Sequence, residues 1–352
     1  MYLKRFFEFF PTPRFLKFSY VGIHVEPEVL HFAELLSTGD NFRLGRYGYE
    51  TFEKGENMLT NESLKAALCK IRDEKGIRYV KAALPEEETY LFTTEVSGVT
   101  NREIREEIEF HLEENVPIAG TEALFHYFVV PGEGEKKKAV VSVVSREVVN
   151  RYTTLFADCG ITAVSFLVES SALSRAVVKQ GDEDTQLMVF VSREKTILAI
   201  VSHEFVEFTS TSSFGGASFT SAIQKQFDVT PEEARKIKFA QGLLKSGNDK
   251  EEYSFPLANA AAVLRDEIQR VSAYWFKLSG GNRGAVQKIV LCGRDSTMPG
   301  LADYLSISLK TPVTVSDVWC NMPYYKNNVP PISFRDSVSY GTALGLVVTA
   351  SL

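Results

Sequence analysis

Only four of the 352 residues are cysteine, and Cys69, Cys159, Cys292 and Cys320 lie far apart with no CxxC pair among them. That spacing excludes a disulfide framework or a thiolate zinc site and leaves thiols buried in apolar or periodic stretches. Histidine is also scarce: the five present show no HExxH or similar spacing, so no metal centre is expected. Positive charge is not in surplus either. A net charge of −6 argues against a general nucleic-acid binder, because phosphate binding requires a basic face. No run reaches the roughly 18 to 20 apolar residues that span a bilayer. There is no Walker lysine motif and no GxSxG elbow. The sequon Asn61-Glu62-Ser63 follows no signal peptide and is set aside.

What remains is an ordinary globular composition, 44% hydrophobic and 24% charged, on a chain long enough for two or more lobes. In residues 1–18, phenylalanines interleave with Lys4, Arg5, Arg14 and Lys17, which suits a membrane interface, a partner or packing on the chain's own domain. Tyr20 to Leu36 reads as two strands broken at Glu26-Pro27-Glu28, with a polar turn at Thr38 to Asn41. Leu64, Leu68 and Ile71 mark a helix stopped by Gly76, and Arg78 to Leu84 a core strand ended by Pro85.

From Glu88 to Val168 the pattern is that of a compact β-α-β-β-α unit. It has a strand at Thr89 to Val96, then a helix capped by Thr100 and Glu103 with Ile104, Ile108 and Leu112 on one face. Strands at Ala123 to Val130 and Ala139 to Ser145 flank a charged turn at Pro131 to Lys138, and a helix from Arg146 to Gly160 leads into Ile161 to Val168. Strands at Leu187 to Val191, Thr196 to Ser202 and Phe205 to Ser210 come next, and Thr230-Pro231-Glu232-Glu233 opens another helix. A longer helix carries Leu264, Ile268, Val271, Trp275 and Leu278 on a core stripe closed by Gly280-Gly281. Tyr340 to Val348 is a small-residue helix able to approach another element closely.

Four short segments carry the chemistry, or its remains. Ile289 to Ala302 reads as buried strand, loop and helix, with Gly293-Arg294-Asp295 opening the loop. The others are Gly22-Ile23-His24-Val25-Glu26-Pro27-Glu28-Val29, Val189-Phe190-Val191-Ser192, and the pair Gly215-Gly216. In order and spacing these resemble the actin-like ATPase superfamily, and more closely the type IV pilus assembly protein PilM family, relatives of the division protein FtsA. The resemblance covers nearly the whole chain after about residue 18 and includes the ending Tyr340-Gly341-Thr342-Ala343-Leu344-Gly345-Leu346.

It implies an α/β, two-lobed actin-like (ribonuclease H-like) ATPase fold with a β-α-β-β-α subdomain inserted in the first lobe. Residues 19–87 would begin the first lobe, 88–168 form the insert and 169–185 the connection. Residues 186–315 would form the second lobe, with a helical subdomain at about 217–282, and 316–352 a closing segment returning to the first lobe.

Against the family's phosphate loop Gly-Ile-Asp-Ile-Gly-Ser-Ser-Ser, His24 replaces the aspartate, Glu26 the glycine, and Pro27 has no N–H to donate. Glu26 and Glu28 would set carboxylates where a triphosphate lies. Like charges about 4 Å apart repel by roughly 4 kcal/mol at an effective dielectric of 20, worth about three orders of magnitude in affinity. Phe190 replaces the aspartate of the second loop. Lys195 reads as a solvated turn lysine, Gly215-Gly216 as a tight turn needing positive φ, and Arg294 and Asp295 as a mutual pair filling the adenine space.

The implied nucleotide pocket is therefore degenerate, comprising Gly22, His24, Glu26, Ser192, Thr196, Gly215, Gly216, Gly293 and Arg294. No cofactor is expected, ATP with magnesium is disfavoured, and the chain is expected to be a pseudo-ATPase rather than an enzyme. Acidic runs such as Glu86-Glu87-Glu88 and Glu113-Glu114 read as solvated faces.

The resemblance further implies a cytoplasmic scaffold, peripheral to the inner face of a bacterial plasma membrane. It would bind the tail of a PilN-like bitopic membrane protein in a groove between first lobe and insert, and link that complex to motor ATPases. Arg105, Glu109 and Leu112, on the helix Asn101 to Glu114, are candidate partner contacts. The acidic outer side of that helix (Glu106, Glu107, Glu109, Glu113) suits a basic tail or is simply solvated. Competing readings are a nucleotide-dependent switch, a phosphotransferase lacking its aspartates, and the cytoplasmic domain of a type II secretion protein.

Overall fold

The structure, a computed structural model, describes residues 20–38, 41–55, 60–130, 137–243, 251–281, 284–322 and 330–348. The basic tail of residues 1–18 and most of the charged turn at Pro131 to Lys138 lie outside them.

Two continuously buried runs on either side of the proline break at residue 27 pair as the first hairpin, β1 (Val21–Glu26) with β2 (Val29–Thr38). A third strand, β3 (Asn41–Thr51), pairs antiparallel with β2 and was not expected. Gly45 and Gly48 disguise it. A side chain at residue 45 would strike Glu34 and Leu36, and one at residue 48 the Phe32 ring, so glycine here serves strand packing rather than a turn. Helix α1 (Glu62–Lys75), capped by Asn61 and Gly76, covers the sheet with Leu64, Leu68 and Ile71. Strand β4 (Tyr79–Leu84) then runs parallel to β1.

The insert leaves the chain after β4. It consists of β5 (Thr89–Val96), α2 (Asn101–Asn115), β6 (Ala123–Val130) and β7 (Lys137–Ser145), forming its own three-stranded sheet in the order β5-β7-β6. The two elements that follow do not belong to it. Helix α3 (Arg146–Asp158) sends Leu155 and Phe156 into the first-lobe core, and β8 (Thr162–Val168) pairs parallel with β4. The unit expected over 88–168 thus ends near 145. Parallel strands need a crossover, and α3 supplies it for β4 and β8. Periodicity locates a helix and a strand without saying which sheet they join.

After α4 (Glu169–Val177), the second lobe repeats the first. Strands β9 (Gln186–Val191), β10 (Thr196–Ser202), β11 (Phe205–Ser212), β12 (Lys288–Cys292) and β13 (Val313–Val315) form a five-stranded sheet, ordered β11-β10-β9-β12-β13. The first-lobe order, β3-β2-β1-β4-β8, is the same pattern, with both antiparallel pairs on the corresponding side. Helices α5 (Gly216–Phe227), α6 (Pro231–Ala240) and α7 (Glu251–Leu278) form the helical subdomain, with Leu264, Ile268, Val271 and Trp275 buried. Leu278 keeps the spacing of that stripe but, as the last residue of α7, is 59% exposed.

After α8 (Leu301–Leu309) and α9 (Phe334–Ser337) the chain closes with α10 (Gly341–Val347). Helices α4 and α10 lie together in one buried cluster that includes Ala33 and Leu35 of the first sheet and Met188, Phe190, Ala199 and Val290 of the second. Close approach requires glycine here. A Cβ on Gly345 would lie 1.7 Å from the Ala172 carbonyl oxygen, and one on Gly22 would lie 1.9 Å from that of Ala343.

Candidate functional site

The β1–β2 and β9–β10 turns face one another between the lobes and frame a cleft of about 530 Å³. Glu26, Ser192, Gly293 and Arg294 line it, and a second cavity of about 480 Å³ shares Glu26 and adds His24, Glu87, Glu169 and Lys195. The remaining residues of the implied pocket have structural duties. Gly22 packs beneath α10. Thr196 is buried and donates its hydroxyl to the Phe214 carbonyl at 2.7 Å.

At the cleft floor His24 is 2% exposed and its Nε2 lies 2.6 Å from a Glu169 carboxylate oxygen, while Phe190 sits edge-on to its ring. The other Glu169 oxygen accepts from Lys195 Nζ at 3.0 Å, and Lys195 also reaches Glu87 at 2.8 Å. Lys195 is thus no solvated lysine; it sits between the Glu169 and Glu87 carboxylates. Glu86 is itself buried, and its carboxylate accepts from the Ser170 N–H. The Glu86 to Glu88 run is not a solvated face either, since Glu88 pairs with Arg151. Burial pushes Glu169 up, but the Lys195 charge and the His24 bond outweigh it and hold the carboxyl down at about 2. Burial alone would lower His24 and Lys195; Glu169 outweighs it and raises both. Glu28 does not confront Glu26 with bare charge, because it pairs with Arg193.

Two backbone donors at the N-terminus of α5, the kind of group that can hold an anion, are already engaged. At the start of α5 the N–H of Gly216 bonds to the Ser192 carbonyl at 2.8 Å and that of Ala217 to the Arg193 carbonyl at 2.7 Å. Gly215 has φ −149°, so the expected positive-φ turn is absent. Both glycines answer to crowding: a Cβ on Gly215 would lie 2.6 Å from the Arg193 carbonyl oxygen, and one on Gly216 would lie 2.0 Å from the Asp295 carboxyl. Gly293 does need its positive φ of 83°, and passes under Val191 and Phe190. Arg294 and Asp295 do not pair with each other. Asp295 bonds to buried Lys238, which also holds the Gly216 carbonyl, whereas Arg294 reaches Asp336 at 3.3 Å.

A third cavity, about 400 Å³, lies between the insert and the first lobe. Leu124, His126 and Phe128 of β6 and Phe166 of β8 make its walls apolar, and Lys81 and Arg175 give it two cations. Burial lowers the pKa of Arg175, and burial with Arg175 beside them lowers those of Lys81 and His126. No acidic partner of Lys81 or Arg175 is present among the described residues, although Lys81 lies 5.4 Å from the Tyr20 ring centre.

Helix α2, the expected wall, covers the opposite face of the insert sheet. Leu112 is buried in the insert core, and Arg105 pairs with Glu109 at 3.0 Å while stacking 4.4 Å over Phe125. Its acids are engaged locally: Glu106 by Arg102, Glu107 by Ser97, and Glu113 by the Gly120 N–H. The cavity between insert and first lobe is lined from the other face of that sheet, through Leu124, His126 and Phe128, and strand alternation alone does not say whether these or Phe125 and Tyr127 lie on the side of α2.

A family model described as type IV pilus assembly protein PilM matches residues 22–350. Among solved structures, the PilM-PilN type IV pilus biogenesis complex matches with 19% identity and a TM-score of 0.73, over 96% of this chain and 98% of that one. The ethanolamine utilization protein EutJ from Carboxydothermus hydrogenoformans matches with 13% identity and a TM-score of 0.55, over 96% and 91%. MreB5 of Spiroplasma citri bound to ADP matches with 13% identity and a TM-score of 0.55, over 95% of each chain. The fold is that of the actin-like proteins. No helix among the described residues is long and apolar enough to cross a membrane.

Proposed function

This chain belongs to the type IV pilus assembly protein PilM family, and on that premise we propose that it is a scaffold gripping the cytoplasmic tail of a PilN-like membrane protein in the groove between insert and first lobe. The carrying observation is the groove itself, about 400 Å³ of largely apolar wall in which Lys81 and Arg175 have no acidic partner among the described residues. Desolvated cations of that kind favour an occupant that supplies carboxylate, and β6, an edge strand of the insert, offers backbone groups to an extended peptide. An acidic or carboxylate-bearing tail therefore fits better than the basic one first expected. Docked there, the chain would be peripheral to the inner membrane face through its partner, and would tie that partner to the motor ATPases.

The same reading makes it a pseudo-ATPase. Support comes from the α5 amides already bonded to Ser192 and Arg193, from Asp295 pressed against Gly216, and from Phe190 where the family has a carboxylate. Two measurements test it. Fluorescence anisotropy with a PilN-like tail peptide should show binding that Arg175→Glu weakens at least tenfold and Phe128→Ala weakens measurably; unchanged affinity in both removes the groove. Titration calorimetry with Mg-ATP should show no heat at micromolar nucleotide, and a saturable isotherm would favour the nucleotide-dependent switch instead.

A further inference from the structure

Two ring nitrogens at the cleft floor stand without partners. His24 Nδ1 and His31 Nδ1 are buried and accept or donate no hydrogen bond among the described residues, in side chains 2% and 8% exposed. A buried polar atom left unpaired is costly, so two on one hairpin require a reason. Strand register puts them together: His24 and His31 are direct cross-strand partners, and Glu26, two residues beyond His24, projects from the same face. Glu26 Oε1 lies 3.6 Å from His31 Nδ1 and 3.9 Å from His24 Nδ1, too far for hydrogen bonds. The three ligand atoms all lie within 4.8 Å of one another. Around a tetrahedral zinc ion, ligand atoms at bond lengths of about 2.0–2.2 Å stand roughly 3.4 Å apart, so modest side-chain rotation closes the set.

We infer that His24 Nδ1, His31 Nδ1 and a Glu26 carboxylate oxygen form a three-ligand site for a divalent transition metal of the zinc class. Two imidazoles and one carboxylate suit zinc or cobalt; magnesium and calcium demand oxygen ligands. The second layer is already built. Glu169 holds His24 Nε2 at 2.6 Å, which places the neutral imidazole's proton on Nε2 and leaves the Nδ1 lone pair free, the arrangement found behind metal-bound histidines. Tyr340 lies edge-on to His31 with ring centres 5.3 Å apart, and Phe190 does the same to His24, so the site is walled by aromatic rings. Glu26 borders both cleft cavities, so the fourth coordination position opens to solvent. The site is independent of whichever partner fills the groove.

The full chain, stripped with chelator and titrated with Zn²⁺, is expected to take up one equivalent with submicromolar affinity. Co²⁺ in its place should give visible ligand-field bands. Glu26→Gln and His31→Gln should each lower affinity at least a hundredfold, and Glu169→Gln about 10–100-fold with altered cobalt bands, as expected of a residue that positions a ligand. His111→Gln, on the surface of α2, should change nothing. Failure of the wild-type chain to bind one equivalent overturns the inference whether or not the variants fold, and so does wild-type affinity in both ligand variants.

Discussion

The Glu169 carboxylate ties the cleft floor together, because alone among the described residues it hydrogen-bonds both His24 and Lys195. Removing one member of such a buried ionic set leaves the others uncompensated, a loss of about 3–5 kcal/mol. The pH dependence follows from the two shifts. Glu169 is depressed from 4.5 to about 2, so its contribution is whole above pH 4.5 and fades as acid approaches 2. His24 is raised above 6.5, so its contribution is whole below that value and is lost as pH rises through the folded-state pKa. With chelator present, the gap in melting temperature between wild type and Glu169→Gln should be widest between pH 4.5 and 6.5 and narrow on both sides. A gap constant with pH would contradict this network. Little of this centre was legible in the chain. His24-x-Glu26 was visible as a departure from a phosphate loop, but His31 enters only through hairpin register and Glu169 from 145 residues away, and neither distance is written in linear spacing.

At the scale of elements, the crossing of α4 and α10 sets the sharpest limit on substitution. Gly345→Ala would drive a methyl into the Ala172 carbonyl, and overpacking of this kind costs about 1–3 kcal/mol. Urea denaturation of that variant should show a lowered midpoint with an unchanged slope, and a shift under a few tenths of a kcal/mol would mean the helices can part. The cap of α2 allows a milder test. Thr100→Ala removes one arm of a reciprocal capping box and should cost about 1 kcal/mol, read by the same melt. Caps, periodic stripes and turn residues were readable in advance because each is local: the α2 box and the Thr230 box fell where the residues placed them. Strand β3 and the end of the insert were not, since edge glycines and sheet membership are decided by what packs across the sheet.

Across the whole molecule, the lobes share one buried cluster at their base and meet again at the cleft mouth through the turn between β9 and β10. From that turn Arg193 pairs with Glu28, Glu194 with Lys54, and Lys195 with Glu87 and Glu169. The first two are largely exposed and worth at most about 1 kcal/mol each; Lys195 is largely buried and dominates. Lys195→Met combined with Arg193→Ala should therefore open the cleft, visible as an increased radius of gyration by small-angle scattering, and an unchanged radius would show that the base alone fixes the angle. The insert adds a further tether, through Lys138 to Glu207 and the Phe128–Phe205 ring contact. Such clasps are supplied by the chain's own side chains. On the proposed reading, a tail arriving at the groove finds its berth already set when translation ends, and the rate of capture should follow collision frequency and tail abundance rather than the energy charge of the cell.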